Sequence, residues 1–137
     1  MKRLYVIVIV FSFAVLIVGA FFWMSYCDMK SALIHDRNRW AVIVDREGSI
    51  MAVEPVSDEV WEQLVELCQN KNREWVGGIV EQYANKWGFR FKPENVTVAE
   101  FTAEGLQATI RYISENLDYW LSSWAYVSAR VIEVHSP

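Results

Sequence analysis

Residues 4–27, LYVIVIVFSFAVLIVGAFFWMSYC, carry no charged side chain, and Lys2 and Arg3 stand immediately before them. A run of about 24 residues makes a helix of roughly 36 Å, enough to cross a hydrocarbon core of about 30 Å with some tilt. Val and Ile dominate the run and are poor helix formers in water. In lipid the backbone must satisfy its own hydrogen bonds, and that requirement makes helix the available solution. Trp23 and Tyr26 lie at the C-terminal end, where amphipathic rings favour the headgroup layer. The expected partner of residues 4–27 is therefore the lipid bilayer.

The same start has the parts of a cleaved secretion signal. Met1-Lys2-Arg3 makes a basic opening, and Val18-Gly19-Ala20 fits a small-residue cleavage site. The apolar run nevertheless continues through Phe21, Phe22 and Trp23, so the expectation is an uncleaved signal anchor. Lys and Arg flank the run on both sides and do not fix its orientation. The short basic start and the sequon Asn95-Val96-Thr97 place the remainder outside the cytoplasm, with Asn95 as a glycosylation candidate. No two of Ser12, Ala14, Gly19 and Ala20 are four apart, so the small-xxx-small dimerisation pattern is missing.

The organisation read from the chain is an anchor over 1–27, a juxtamembrane neck over 28–38 and a small extracytoplasmic α+β domain over 39–137. About 110 residues beyond the anchor suit one domain with a single modest core. Tryptophan and tyrosine are frequent there, which argues against disorder. The net charge of −4, with no basic stripe, argues against nucleic acid as a partner. Cys27 lies at the membrane boundary. Cys68 falls on an apolar helix face and reads as a small buried hydrophobe rather than half of a disulfide.

Within the domain, Trp40–Val44 and Ser49–Val53 read as a hairpin around Asp45-Arg46-Glu47-Gly48, closed by Pro55. Ser57 or Asp58 caps a helix over 59–69. Val60, Trp61, Leu64, Val65, Leu67 and Cys68 share one face of it, opposite Glu59, Glu62, Gln63 and Glu66. A second helix is expected over 73–87, stopped by Gly88, although Gly77-Gly78 costs it roughly 1 kcal/mol per glycine. Phe89 and Phe91 then alternate with Arg90 and Lys92. Strands are expected over 96–102 and 106–113, joined at Ala103-Glu104-Gly105, with a loop or helical turn over 114–121 and a last strand over 124–134. The sum is an antiparallel sheet with a two-helix layer on one face.

Few residues suggest chemistry. Glu59, Glu62 and Glu66 form what reads as a solvated helix face. His35 and His135 stand at opposite ends of the tail without a second ligand at i+3 or i+4, a poor pattern for zinc. No nucleophile elbow or phosphate loop is present, and no catalytic residue, cofactor or metal is assigned. Tyr119, Trp120, Trp124 and Tyr126 are the candidate ligand platform if exposed, and the core of a tryptophan-rich domain if buried. The functional expectation is a membrane-anchored binding or scaffold domain, with a protein partner in a membrane complex. The alternative is an anchored hydrolase using carboxylates of the Glu59 face or Asp118 beside that platform.

Overall fold

A computed structural model of the chain describes residues 2–137. Two compact units separate at Ser31 and Ala32. The first is the long helix α1 (Lys2–Ala32), whose side chains from 2 to 30 are exposed. By length and composition α1 can cross a membrane. The helix runs past the expected anchor and takes in the first residues of the neck. The second unit is an antiparallel sheet body with further helices, so the chain is α+β.

The body begins with the expected hairpin. Strand β1 (Trp40–Val44) pairs with β2 (Ile50–Val53) from Ala41 opposite Val53 to Val44 opposite Ile50. Asp45 makes the turn: one carboxylate oxygen accepts the N–H groups of Glu47 and Ser49, each at 3.0 Å. Gly48 supplies a φ of 84° there, which a side chain would resist. Helix α2 (Asp58–Asn70) follows, capped by the Ser57 hydroxyl, which accepts from the Val60 N–H at 3.4 Å. Leu64 and Leu67 are buried, Val60, Trp61 and Cys68 pack at the core margin, and Glu59, Glu62 and Glu66 are exposed. α2 packs against β6 (Trp124–His135) and β5 (Thr97–Ala99).

Residues 73–87 are not a helix. They form β3 (Arg73–Gln82) and a turn in which Gly88, at φ 79°, redirects the chain instead of stopping a helix. β3 is the hub of the sheet. One edge carries β6, from Arg73 opposite Arg130 to Ile79 opposite Trp124. The other carries β5 along its first half and β4 (Phe89–Phe91) along its second. Val76 and Val80 are both fully buried, and a spacing of four suits a strand face as well as a helix face. The glycine pair is explained by neighbours distant in sequence. A Cβ on Gly77 would overlap the Ala125 carbonyl oxygen and lie 2.7 Å from Tyr126 Cδ1. A Cβ on Gly78 would lie 3.1 Å from the Asn95 carbonyl oxygen.

The expected hairpin over 96–113 is also absent. β5 is short and pairs with β3, a 3-10 turn occupies Glu104–Leu106, and α3 (Ile110–Glu115) replaces the returning strand. Thr109 starts α3 by accepting the Tyr112 N–H at 3.1 Å, a local side-chain bond that alternation of apolar residues does not reveal. Over 114–121, where a loop or a helical turn is expected, the chain ends α3 and forms the helical turn α4 (Leu117–Trp120). β4, with Phe89 and Phe91 buried, and β6 stand where the sequence placed them. The sheet order is β2-β1-β6-β3-β4, with β5 beside β3. α2 and the short α3–α4 pair add their apolar residues to one core with the sheet, where Ile43, Leu64, Val76, Phe89 and Ile113 all lie.

Candidate functional site

Alternate residues of a strand share a face, so the β3–β6 register groups the surface side chains. Ile79 faces Trp124, Gly77 faces Tyr126, Trp75 faces Ser128 and Arg73 faces Arg130. The Trp124 and Tyr126 rings lie within 12° of parallel with centroids 6.2 Å apart, and Trp124 is 38% exposed. Burial raises the pKa of the Tyr126 phenol. Tyr119 and Trp120 sit on α4 and meet each other edge to face at 5.1 Å. Tyr119 is exposed, whereas Trp120 is buried with its indole N–H unpaired. The four platform residues thus form two separate ring pairs, one on the sheet and one on α4.

Further along the same sheet face lies a cleft of about 210 Å³ that sequence reasoning missed, lined by Asp45, Arg46, Trp75, Gln107, Thr109 and Ser128. Two guanidiniums converge on Ser128. Arg46 Nε donates to its hydroxyl at 3.2 Å, and Arg73 Nη1 donates to its carbonyl oxygen at 2.7 Å. Asp45 closes one wall. Its second carboxylate oxygen accepts the Ile110 N–H at 2.9 Å, tying the hairpin turn to the start of α3. The alternation Arg73, Trp75, Gly77, Ile79 in the sequence is the signal that a strand reading of 73–82 would have used.

A second arrangement was equally hidden. Glu54, only 2% exposed, follows β2 and reaches back to the neck. Its Oε1 accepts the N–H groups of Asp36 and Arg37, both at 2.7 Å, and its Oε2 meets Arg90 Nη1 at 3.0 Å. Arg90 also bonds Glu81 at 2.8 Å and Asp36 at 3.1 Å, and stacks over the Tyr83 ring at 4.3 Å. Burial opposes the Arg90 charge, but the Glu81 hydrogen bond and the Glu54 charge outweigh it and raise the pKa further. The Tyr83 hydroxyl donates to Asp36 at 2.9 Å. Burial, that bond and the nearby Glu54 charge push Tyr83 up to about 12. This cluster fixes residues 36–37 to the body.

The two histidines, far apart in sequence, stack on opposite sides of one indole. His35 lies 3.9 Å and His135 4.1 Å from the Trp40 centroid, both nearly parallel to it. His135 Nε2 is 3.0 Å from a Glu133 oxygen. Among the described residues no group of three His, Cys, Asp or Glu is placed to hold a metal ion. A separate cleft of about 230 Å³ includes Glu66, Glu74 and Glu100 in its lining, without an aromatic ring. Asp118 is exposed beside Tyr119. Asn95 closes the 3-10 turn Pro93–Asn95 and is half-buried, while Thr97 of its sequon pairs with Gly77 in the sheet. Cys27 and Cys68 are free thiols. Compared with known proteins, the chain matches no family model, no curated protein and no solved structure.

Proposed function

We propose that this protein is a single-pass membrane-anchored binding or scaffold subunit, its body outside the cytoplasm beside a larger membrane complex. The observation that carries the reading is the charge-free stretch of α1, joined in one chain to a body with its own filled core. A segment that long and apolar is far more favourable in lipid than in water. The basic start at Lys2-Arg3 supports an N-terminus retained in the cytoplasm. The body offers a ligand surface on the open sheet face that carries Trp75, Trp124 and Tyr126.

The test combines fractionation with topology. Full-length protein should stay with membranes through alkaline carbonate washing, and intact cells should expose the body to added protease. Crosslinking before detergent extraction should then capture neighbouring membrane proteins. Full-length chain in the aqueous fraction, or a mature N-terminus beginning at Phe21, refutes the anchor. Digestion only after lysis refutes the outside placement.

A further inference from the structure

We infer that the sheet face around Ser128 is a binding site for an acidic sugar, with its carboxylate or phosphate on Arg46, Arg73 and Arg130 and its ring on Trp75. The inference rests on the binding-module reading of the body and is independent of the membrane anchor. The first observation is charge. Among the described residues, none of the ion pairs involves Arg46, Arg73, Arg130 or Lys71. The chain has 17 acidic residues against 13 basic ones, so a shortage of carboxylates does not explain four unpaired cations. Asp45 lines the same cleft, but it is 3% exposed and its oxygens already accept three backbone N–H groups.

The second observation is placement. Arg73 and Arg130 are direct cross-strand partners, an arrangement in which like charges destabilise the sheet. Arg46 reaches over from the β1–β2 turn to bond Ser128, two residues before Arg130 on the same strand, and Lys71 lines a second cleft together with Arg130. An anion seated among them removes the repulsion and takes the forked hydrogen bonds that guanidinium offers to carboxylate and phosphate. The third observation is the indole. Trp75 is half-exposed, and no aromatic ring or cation stacks on it among the described residues. A flat apolar wall beside an anion anchor suits a pyranose ring, and the Gln107 and Thr109 side chains in the lining can meet hydroxyls. The cleft, at about 210 Å³, has room for one ring.

The experiment uses the full chain in an uncharged detergent, titrated by calorimetry with a glucuronic-acid oligosaccharide. The comparison probes are a neutral oligosaccharide of equal length, inorganic phosphate and a polyglutamate peptide. Binding of the acidic oligosaccharide should exceed each of the others and weaken with added salt. Arg73→Gln and Arg130→Gln should each lower affinity by about tenfold or more, the loss of one charge-assisted contact. Trp75→Leu should weaken the oligosaccharide but leave phosphate binding unchanged. Both arginines are at the surface, and unchanged urea midpoints for their variants confirm that the fold is kept. Equal binding of the neutral sugar, equal binding of phosphate, or tighter binding of polyglutamate overturns the assignment, as does no binding at all. None of these outcomes alters the fractionation result, so the anchor and this site stand or fall separately.

Discussion

Replacing Gly77 by alanine separates the two readings of residues 73–87 by the sign of the effect. In a helix interior the change is favourable by about 1 kcal/mol. In the strand the new methyl meets the backbone of β6, where it overlaps the Ala125 carbonyl oxygen and crowds Tyr126 Cδ1 at 2.7 Å. Neighbouring strands stand only about 4.8 Å apart, so the methyl cannot be absorbed by rotating a side chain. The strands must part at the Gly77–Tyr126 pair, next to Gly78 opposite Ala125. Forced overpacking costs about 1–3 kcal/mol. One or two weakened ladder bonds add about 0.5–1.5 kcal/mol each, for a total of roughly 1.5–6 kcal/mol. Gly78→Ala meets Asn95 and Phe91 at 3.1 and 3.2 Å, close enough to cost less than Gly77→Ala but not to stabilise. The assay is urea unfolding of the detergent-solubilised chain, followed by tryptophan fluorescence. A Gly77→Ala variant as stable as the parent, or more so, refutes the β3–β6 pairing described above.

Four other perturbations have defined outcomes. Arg90→Met strips the counter-ion from buried Glu54 and should lower stability by about 2–4 kcal/mol. Breaking the Arg39–Asp58 pair, where Asp58 is 88% exposed, should cost under about 1 kcal/mol, and equal losses in the two variants contradict the burial argument. The Tyr83 phenol is neutral in both folded and unfolded states below its ordinary value of 10.0 and is held to about 12 in the folded body. Its contribution is therefore intact below pH 10 and declines as the pH rises towards 12. Tyr83→Phe should flatten the urea midpoint over that range, and an unchanged slope removes the linkage. Val15→Arg, near the middle of residues 4–27, adds about 2.5–3.5 kcal/mol to insertion. It should move full-length chain out of the carbonate-resistant fraction.

Legibility in the sequence followed the range of the deciding contacts. The hairpin, α2 and β6 were readable because their signals are local: an Asp-x-x-Gly turn, a capped amphipathic stripe and a β-branched run. Residues 73–87 misled because Val76 and Val80 satisfy both periods, and the reason for Gly77 lies in Ala125 and Tyr126, almost fifty residues on. The span 106–113 looked like a strand because its apolar residues suit one, while the Thr109 cap and the bond from Ile110 N–H to Asp45 make it a turn and helix. Neither the Glu54 cluster nor the arginines at Ser128 could be read in advance, since their members come from four and three separate segments respectively. Tyr119, Trp120, Trp124 and Tyr126 stood out by composition, but only strand register distributes them between sheet and helix.

The Trp40–His135 pairing has a practical corollary for anyone building reporters from this chain. The polypeptide enters its sheet and leaves it at one corner, His135 being both the strand partner of Trp40 and half of the imidazole sandwich around it. A fluorescent protein or affinity tag fused directly after Pro137 would be separated from that sandwich by only Ser136 and Pro137, close enough to crowd it. The bend at Gly105, where an added methyl touches nothing within 4 Å, is the better doorway for foreign sequence.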